Sequence, residues 1–246
     1  MRKVLVIGIG AGDPEHVTVQ AIAAMNAVDV FFVLDKGGAT SDLTAARHAI
    51  LERFVTREHR TVTLTDPPRD RVAADYSGAV REWRDERARV LHEAMAAEEG
   101  VGGILVWGDP ALYDGTIRIL DSFGDVDFEV IPGISSVQVL TARHRVPLNR
   151  VAGAVHITTG RRLAAGWPDG WPDGCDDVVV MLDADLSCRA YRDEAVDIYW
   201  GAYLGTPDEL LVAGRLGEVL GEIERVRAEA RARKGWIMDT YLLRRV

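Results

Sequence analysis

Three short segments of this sequence combine glycine with residues that can hydrogen-bond a ligand. They are GIGAGD at residues 8–13, WGDPALYD at 107–114 and IPGISS at 131–136. Glycine lets the backbone approach a bound molecule closely, because it has no Cβ. Ser135 and Ser136 add hydroxyl groups and the N–H groups of a helix start to the third segment. These residue types favour a site that binds a small molecule largely through main-chain contacts.

The first segment does not by itself identify its ligand. Its GxGxG spacing differs from the GxGxxG of dinucleotide-binding folds, and the register of Asp35 at the end of the second strand is not fixed by sequence. Ile7 stands where the common nucleotide-fold methyltransferases carry an acidic residue. Asp13 followed by Pro14 has the pattern of a helix N-cap and first helical residue. The segment therefore predicts a tight turn beside an unspecified ligand.

Alternating strands and helices position the first two segments. Apolar runs predict strands at 4–10, 29–34, 61–64, 103–107 and 128–131, and helical spacing appears at 18–27, 43–54, 79–98 and 117–123. This alternation predicts a doubly wound, mostly parallel sheet in an N-terminal α/β lobe over residues 1–133. Because parallel strands end at one edge of a sheet, the first two segments should meet in a ligand crevice.

The remaining residues, 134–246, predict a second α/β lobe with a mixed sheet. Its expected elements are a helix at 135–145, strands at 155–158, 178–182, 198–202 and 236–242, and a surface helix at 216–233. The stretch RAEARAR at 227–233 should form solvated ion pairs on that helix. WPDG occurs twice in succession, so turn chemistry predicts an exposed loop over 165–177, with a lid over a cleft as the alternative.

Composition excludes several function classes. The 246 residues carry a net charge of −9, which argues against a protein that coats nucleic acid. Lysine occurs at only three positions, so nearly all positive charge is arginine, the better partner for carboxylates. No apolar run approaches membrane-spanning length, and we expect neither secretion nor a membrane partner. Cys175 and Cys188 have no metal-ligand spacing, so we expect no metal site and a cytoplasmic protein with reduced thiols.

Together, in this order and at these spacings, the three segments resemble the tetrapyrrole methylase family. Its members carry GxGxGDP near the start, (G/W)GDPxxY after the fourth strand and PG(I/V)(S/T)(S/A) after the fifth. VVVML at 178–182 and GTPDELLVAGRL at 205–216 look like the family's later segments, so the resemblance covers essentially the whole chain. It implies a two-lobed tetrapyrrole methylase fold with S-adenosylmethionine bound in the cleft between the lobes.

The resemblance also implies which residues contact the cofactor. These are Ala11, Trp107, Gly108, Asp109 and Leu112 in the first lobe, and Ser135, Ser136, Leu182 and Leu204 in the second. Many relatives carry proline where Ala11 stands and methionine where Leu182 stands. Both positions are expected to meet the cofactor through backbone or apolar contact, so the exchanges are compatible with binding.

Within the family, the chain looks like the C-1 methyltransferases of aerobic cobalamin biosynthesis, for example in ITTGRRL at 157–163. That likeness implies methylation of precorrin-5 at C-1 with loss of an acetyl group as acetate, which requires water and a general base. Asp13, Tyr113 and Asp114 are the candidate catalytic residues, since they lie on loops facing the crevice. By analogy with the family, we expect a homodimer.

The implied tetrapyrrole substrate is a polycarboxylate, which arginine recognises well. Arg161 and Arg162 of the TGRR segment are expected to bind its carboxylates. Some of seven further arginines should line the cleft, although a solvated ion pair is the favoured interpretation for any one of them: Arg69, Arg71, Arg81, Arg84, Arg143, Arg145 and Arg150.

Three alternatives remain open at this point. One is a methylase of the same fold with another acceptor, such as ribosomal RNA or a diphthamide precursor, although the acidity counts against RNA. The second is an NAD-dependent oxidoreductase built on the GIGAGD loop. The third is a nucleotide-sensing binding module without enzymatic activity.

Overall fold

A computed structural model of the chain describes residues 3–35, 41–68, 76–165 and 174–246. Its contacts divide the chain into two units, Met1–Ile134 and Ser135–Val246. Within the described ranges, no helix is both long enough and apolar enough to cross a membrane.

Five parallel strands form the sheet of the first unit, in the order β3-β2-β4-β1-β5. They are β1 (Lys3–Gly8), β2 (Val30–Asp35), β3 (Arg60–Thr65), β4 (Val101–Val106) and β5 (Asp127–Ile131). The carboxyl ends of β4, β1 and β5 therefore lie side by side at one edge. The three glycine segments begin at these three strand ends.

Successive residues of β1 are buried in different clusters, which explains why its sequence is continuously apolar. Ile7 packs in a cluster with Met25 of α1 (Val19–Met25). Val6 packs in another with Leu91 of α3 (Tyr76–Ala96). The two remaining helices of this unit are α2 (Ser41–Phe54) and α4 (Thr116–Asp121).

The second unit contains a mixed sheet in the order β6-β7-β10-β8-β9, in which only the β6–β7 pair is parallel. Its strands are β6 (Val155–Thr159), β7 (Asp177–Met181), β8 (Val196–Ala202), β9 (Leu210–Arg215) and β10 (Asp239–Arg245). Its helices are α5 (Ser136–His144), α6 (Gly160–Ala164) and α7 (Leu216–Lys234).

The predicted fold class is confirmed, and the structure adds or moves a few elements. The edge strand β9 and the short helix α6 were not predicted. Strand β1 ends at Gly8 rather than at residue 10, because Gly10 turns the chain with a φ of +80°. Of the predicted loop 165–177, residues 166–173 lie outside the described ranges.

The prediction that RAEARAR is a solvated face is wrong at its first residue. Arg227 is 8% exposed, and its Nε donates to Asp239 Oδ2 at 2.8 Å. Its Nη2 donates to the main-chain carbonyls of Asp183 and Ala184. The indole N–H of Trp200 donates to the same Asp239 oxygen at 3.0 Å. Arg227 therefore neutralises a carboxylate inside the second unit.

Replacing Arg227 with alanine should lower the free energy of unfolding by about 3–5 kcal/mol, because it leaves the Asp239 carboxylate buried without its cation. Urea denaturation measures the loss. Arg225→Ala on the same helix is the matched control, since Arg225 pairs with Glu229 at the exposed surface and should contribute at most about 0.5 kcal/mol. Equal losses for the two variants would contradict a buried pair.

Candidate active site

Backbone hydrogen bonds join the loops that follow β1 and β4. Gly108 N–H donates to Gly10 O at 2.8 Å, and Gly10 N–H donates to Gly108 O at 3.4 Å. Ile9 N–H also donates to Val106 O at 2.9 Å, which continues the contact between the two segments beyond the strand ends. Gly10 and Gly108 both have positive φ angles, which explains glycine at these turns. The predicted meeting of the first two segments is thus observed.

The loop after β5 joins them through Asp109. Gly133 N–H donates to Asp109 Oδ2 at 2.9 Å, while Ala111 N–H donates to Oδ1 at 2.8 Å. A Cβ at Gly133 would lie 2.1 Å from Gly108 O and 2.9 Å from Gly8 Cα. No side chain fits there, so this close approach of three backbones requires glycine.

These contacts give Asp109 a definite structural role. Both of its carboxylate oxygens accept main-chain N–H groups, and therefore its charge holds two loops together. Ala11 is buried, whereas Trp107, Gly108, Asp109 and Leu112 are half-buried. The indole N–H of Trp107 is buried and has no acceptor among the residues that the structure describes. All five predicted cofactor residues of the first unit thus lie in the two loops at the carboxyl ends of β1 and β4.

The three candidate catalytic residues lie on the same two loops. Asp13 Oδ1 accepts Glu15 N–H at 2.9 Å and so caps the 3₁₀ turn Pro14–His16, as its sequence pattern predicted. Asp114 Oδ1 accepts Thr116 N–H at 2.7 Å. Tyr113 is 45% exposed and has a φ of 54°, a strained conformation for a residue with a side chain. Partial burial raises the pKa of its phenol. Like an ordinary tyrosine, it is protonated at neutral pH and can donate a hydrogen bond.

In the second unit, the predicted cofactor residues fall at three element ends. Ser135 caps α5, because its Oγ accepts Val137 N–H at 3.2 Å and its own N–H donates to Gln138 Oε1. Ser136 is the first residue of that helix. Leu182 follows β7 with a φ of 54° and is 65% exposed, whereas Leu204 follows β8 and is buried.

A buried carboxylate that sequence reasoning missed orders the turn after β7. Asp183 accepts Ser187 N–H at 2.6 Å and the Tyr241 hydroxyl at 2.5 Å through Oδ2. A Cβ at Gly160 would lie 2.2 Å from Asp183 Oδ1, so the start of α6 also packs against this group. In the sequence, Asp183 is marked only by its position directly after the apolar run VVVML at 178–182.

The arginines divide into several groups. Arg161 and Arg162 are exposed in the first turn of α6, and Arg81 and Arg84 are exposed on α3.

Arg143 pairs with Glu209 at 3.0 Å, and the Oε2 of Glu209 also accepts Gly205 N–H in the GTPDE loop. Arg145 ends α5 in a left-handed conformation, and Arg150 lies near Asp176. Arg69 and Arg71 fall outside the described ranges.

One arginine that sequence reasoning did not single out lies at the sheet edge. Arg47 of α2 is half-buried, and its Nε donates to Leu105 O at 3.4 Å, near the end of β4. Its guanidinium carbon lies 5.8 Å from the ring centroid of Trp107. In the sequence, Arg47 is one of several charged residues of a helix, and no neighbouring residue indicates that it lies near the candidate site.

Comparison with known proteins identifies the family. The family model for tetrapyrrole (corrin/porphyrin) methylases matches residues 3–220. The chain belongs to this family. The expected resemblance is confirmed, and the three glycine segments of this methylase lie within the matched region.

Two relatives match this methylase over nearly its full length. It is 48% identical to a precorrin-6A synthase [deacetylating] from Sinorhizobium sp, over 100% of this chain and 96% of that protein. It is 37% identical, with a TM-score of 0.81, to a cobalamin-synthesis-related protein (CobF) from Corynebacterium diphtheriae, over 99% of this chain and 98% of the other.

More distant structures share the fold of this methylase. A uroporphyrin-III C-methyltransferase from Thermus thermophilus, complexed with S-adenosylhomocysteine, is 21% identical with a TM-score of 0.57. The alignment covers 98% of this chain and 91% of that one. At this identity the likeness concerns the fold alone.

Asp109→Ala should lower the free energy of unfolding by about 1.5–3 kcal/mol, because it removes a charged acceptor from two main-chain N–H groups. Chemical denaturation followed by circular dichroism measures the change. Asp121→Ala, at an exposed position of α4, is the control and should change stability by less than about 0.5 kcal/mol. A loss no larger than that of the control would remove Asp109 from its proposed role as the tether between loops.

Proposed function

We propose that this methylase converts precorrin-5 to precorrin-6A, using S-adenosylmethionine to methylate C-1 and releasing the acetyl group as acetate. The observation that carries the proposal is the 48% identity, over the whole chain, to a protein named precorrin-6A synthase [deacetylating]. The family match over residues 3–220 supports methyl transfer to a tetrapyrrole in cobalamin biosynthesis.

The loops of the first unit fit a cofactor that is held by main-chain contacts. Glycines at 8, 10, 108 and 133 remove side chains from the edge where β4, β1 and β5 end, and the buried Trp107 N–H has no acceptor among the described residues. We propose that Ala11, Trp107, Gly108, Asp109 and Leu112 hold S-adenosylmethionine, with Ser135, Ser136, Leu182 and Leu204 contributed by the second unit. When bound, S-adenosylmethionine supplies a methyl group that its sulfonium has already activated.

The residues of the chain then have two tasks, alignment and acid–base chemistry. Methyl transfer to carbon requires close positioning and exclusion of water rather than a protein nucleophile. Loss of the acetyl group consumes water, and we assign its activation to Asp13, Tyr113 or Asp114. The raised pKa of Tyr113 suits it to donating a hydrogen bond, whereas the two aspartates suit the role of base.

Further features of the proposal concern the substrate and the setting of the protein. Arg161 and Arg162 are exposed, so they are accessible to substrate carboxylates. The net charge of −9 supports a small-molecule partner rather than nucleic acid. A cytoplasmic homodimer remains part of the proposal by analogy with the family.

Incubating the purified protein with precorrin-5 and isotope-labelled S-adenosylmethionine should give a product that has gained one labelled methyl group and lost the acetyl group. Mass spectrometry measures both changes, and released acetate is assayed separately. A labelled product that retains the acetyl group would contradict the deacetylating step while leaving methyl transfer intact. Binding of NAD without binding of S-adenosylhomocysteine in calorimetry would instead favour the oxidoreductase.

Isosteric variants should distinguish the candidate base. Among Asp13→Asn, Asp114→Asn and Tyr113→Phe, the variant that removes the base should lower kcat by about 10²–10⁴-fold, since general base catalysis contributes on that order. Stopped assays at saturating precorrin-5 measure kcat, and circular dichroism confirms folding. Near wild-type rates for all three would place the base elsewhere.

A further inference from the structure

Arg47 lies beside the glycine loop that follows β4, on a helix that is not one of the three glycine segments. The glycine loops follow β4, β1 and β5, whereas Arg47 belongs to α2, which follows β2, the neighbour of β4 on the other side. Its hydrogen bond to Leu105 O and its position 5.8 Å from the Trp107 ring place it beside the end of β4. Arg47 is therefore adjacent to the proposed cofactor loops without being part of them.

In the part of the chain that the structure describes, the guanidinium of Arg47 has no carboxylate partner, unlike comparable arginines. Among the described residues, its only hydrogen bond is the 3.4 Å contact from Nε, and no carboxylate oxygen lies within the 4.0 Å of an ion pair. The other arginines that are buried or half-buried in the described ranges are all ion-paired: Arg87 with Asp66 at 2.7 Å, Arg215 with Asp197 at 3.4 Å, Arg227 with Asp239 at 2.8 Å and Arg244 with Asp177 at 2.5 Å.

Charged side chains of both signs act on Arg47, but none in the described residues forms an ion pair with it. Burial lowers the pKa of its guanidinium, and the positive charge of Arg87 acts in the same direction. Asp114 and Asp35 oppose this shift from a greater distance than an ion pair. The buried indole N–H of Trp107 adds a second donor without an acceptor in the described part of the chain. In the described residues, most N–H groups of the Arg47 guanidinium and the indole N–H of Trp107 thus have no acceptor, and unused guanidinium donors are the chemistry of a carboxylate-binding site.

We propose that Arg47 is the receptor for a carboxylate of a bound small molecule. Resting on the proposed function, we assign that carboxylate to an acetate or propionate side chain of the tetrapyrrole, because Arg47 lies beside the glycine loops rather than in them. The methionyl carboxylate of S-adenosylmethionine is the second source of the same chemistry. The planar guanidinium can bind a carboxylate through two parallel hydrogen bonds.

The test compares Arg47→Gln and Arg47→Lys with wild type. For a substrate carboxylate, Arg47→Gln should raise KM for precorrin-5 by about tenfold or more, with Arg47→Lys in between, while the Kd of S-adenosylhomocysteine changes by less than about twofold. Arg53→Gln is the matched control, since Arg53 lies on the same helix, is exposed and pairs with Glu15. This control should leave both KM for precorrin-5 and the Kd of S-adenosylhomocysteine unchanged.

Calorimetry with two nucleosides separates the sources. S-adenosylhomocysteine carries the methionyl carboxylate, whereas 5′-methylthioadenosine lacks it. If Arg47→Gln weakens binding of S-adenosylhomocysteine but not of 5′-methylthioadenosine, the bound carboxylate is that of the cofactor, and the proposal that Arg47 binds a carboxylate is supported. If both weaken equally, Arg47 shapes the Trp107 loop, and the proposal is overturned. Unchanged KM and unchanged nucleoside binding also overturn it.

Thermal unfolding of the ligand-free protein supplies a readout that distinguishes a receptor from a structural residue. Removing a desolvated cation that has no ion-pair partner should leave Tm of Arg47→Gln unchanged or higher, whereas a lower Tm would support a structural role and count against the receptor. If the wild-type protein does not turn over precorrin-5, the proposed function is wrong, and only the nucleoside comparison still tests the role of Arg47. In that case, the carboxylate-receptor proposal is overturned if Arg47→Gln does not selectively weaken binding of S-adenosylhomocysteine.

Discussion

The architecture of the proposed site depends on the approach of three backbone segments at one edge of the parallel sheet. Gly133 lies so close to Gly108 O that a Cβ would be 2.1 Å from that oxygen. Asp109 holds this arrangement by accepting N–H groups from both its own loop and the loop after β5. The sheet order β4-β1-β5 is the prerequisite, because it brings these three strand ends together. A ligand at this edge would meet main chain, and this limits how far the loop sequences can vary.

Features set by neighbouring residues could be predicted from sequence, and these included much of the site. Positive φ at Gly10 and Gly108, the cap at Asp13 and the cap at Ser135 each follow from a few adjacent residues. Features set by distant partners could not. The burial of Arg227 depends on Asp239 across a turn and on the carbonyls of Asp183 and Ala184. Arg47 has no ion-pair partner among the described residues, and this depends on its packing beside β4 and Trp107. The edge strand β9 was missed for a related reason, since its pairing with β8 is a tertiary contact.

Loops of both units contain aspartates that accept a main-chain N–H from a residue close in sequence. Asp13, Asp109, Asp114 and Asp183 each accept the N–H of the residue two positions later, at 2.9, 2.8, 2.7 and 3.2 Å respectively. Such turns fix a loop by local bonds and orient the carboxylate toward main-chain donors. An aspartate at these positions therefore has a structural explanation before any catalytic one. This hydrogen bond uses one of about four lone-pair sites of the carboxylate, so the turn is compatible with a catalytic role for Asp13 or Asp114.

This use of aspartate bears on how an acidic protein can accommodate an acidic ligand. The net charge of −9 averages over the whole chain, whereas main-chain N–H dipoles compensate part of the charge of a carboxylate whose oxygens accept them. At the sheet edge, Asp109 is in this condition, while Arg47 retains a cation without an ion-pair partner in the described residues. The overall charge therefore does not decide whether this edge can bind an anion. A carboxylate bound at this edge would interact with the Arg47 guanidinium more strongly than with an exposed arginine, because Coulomb attraction is stronger in a partly buried setting than on the solvated surface.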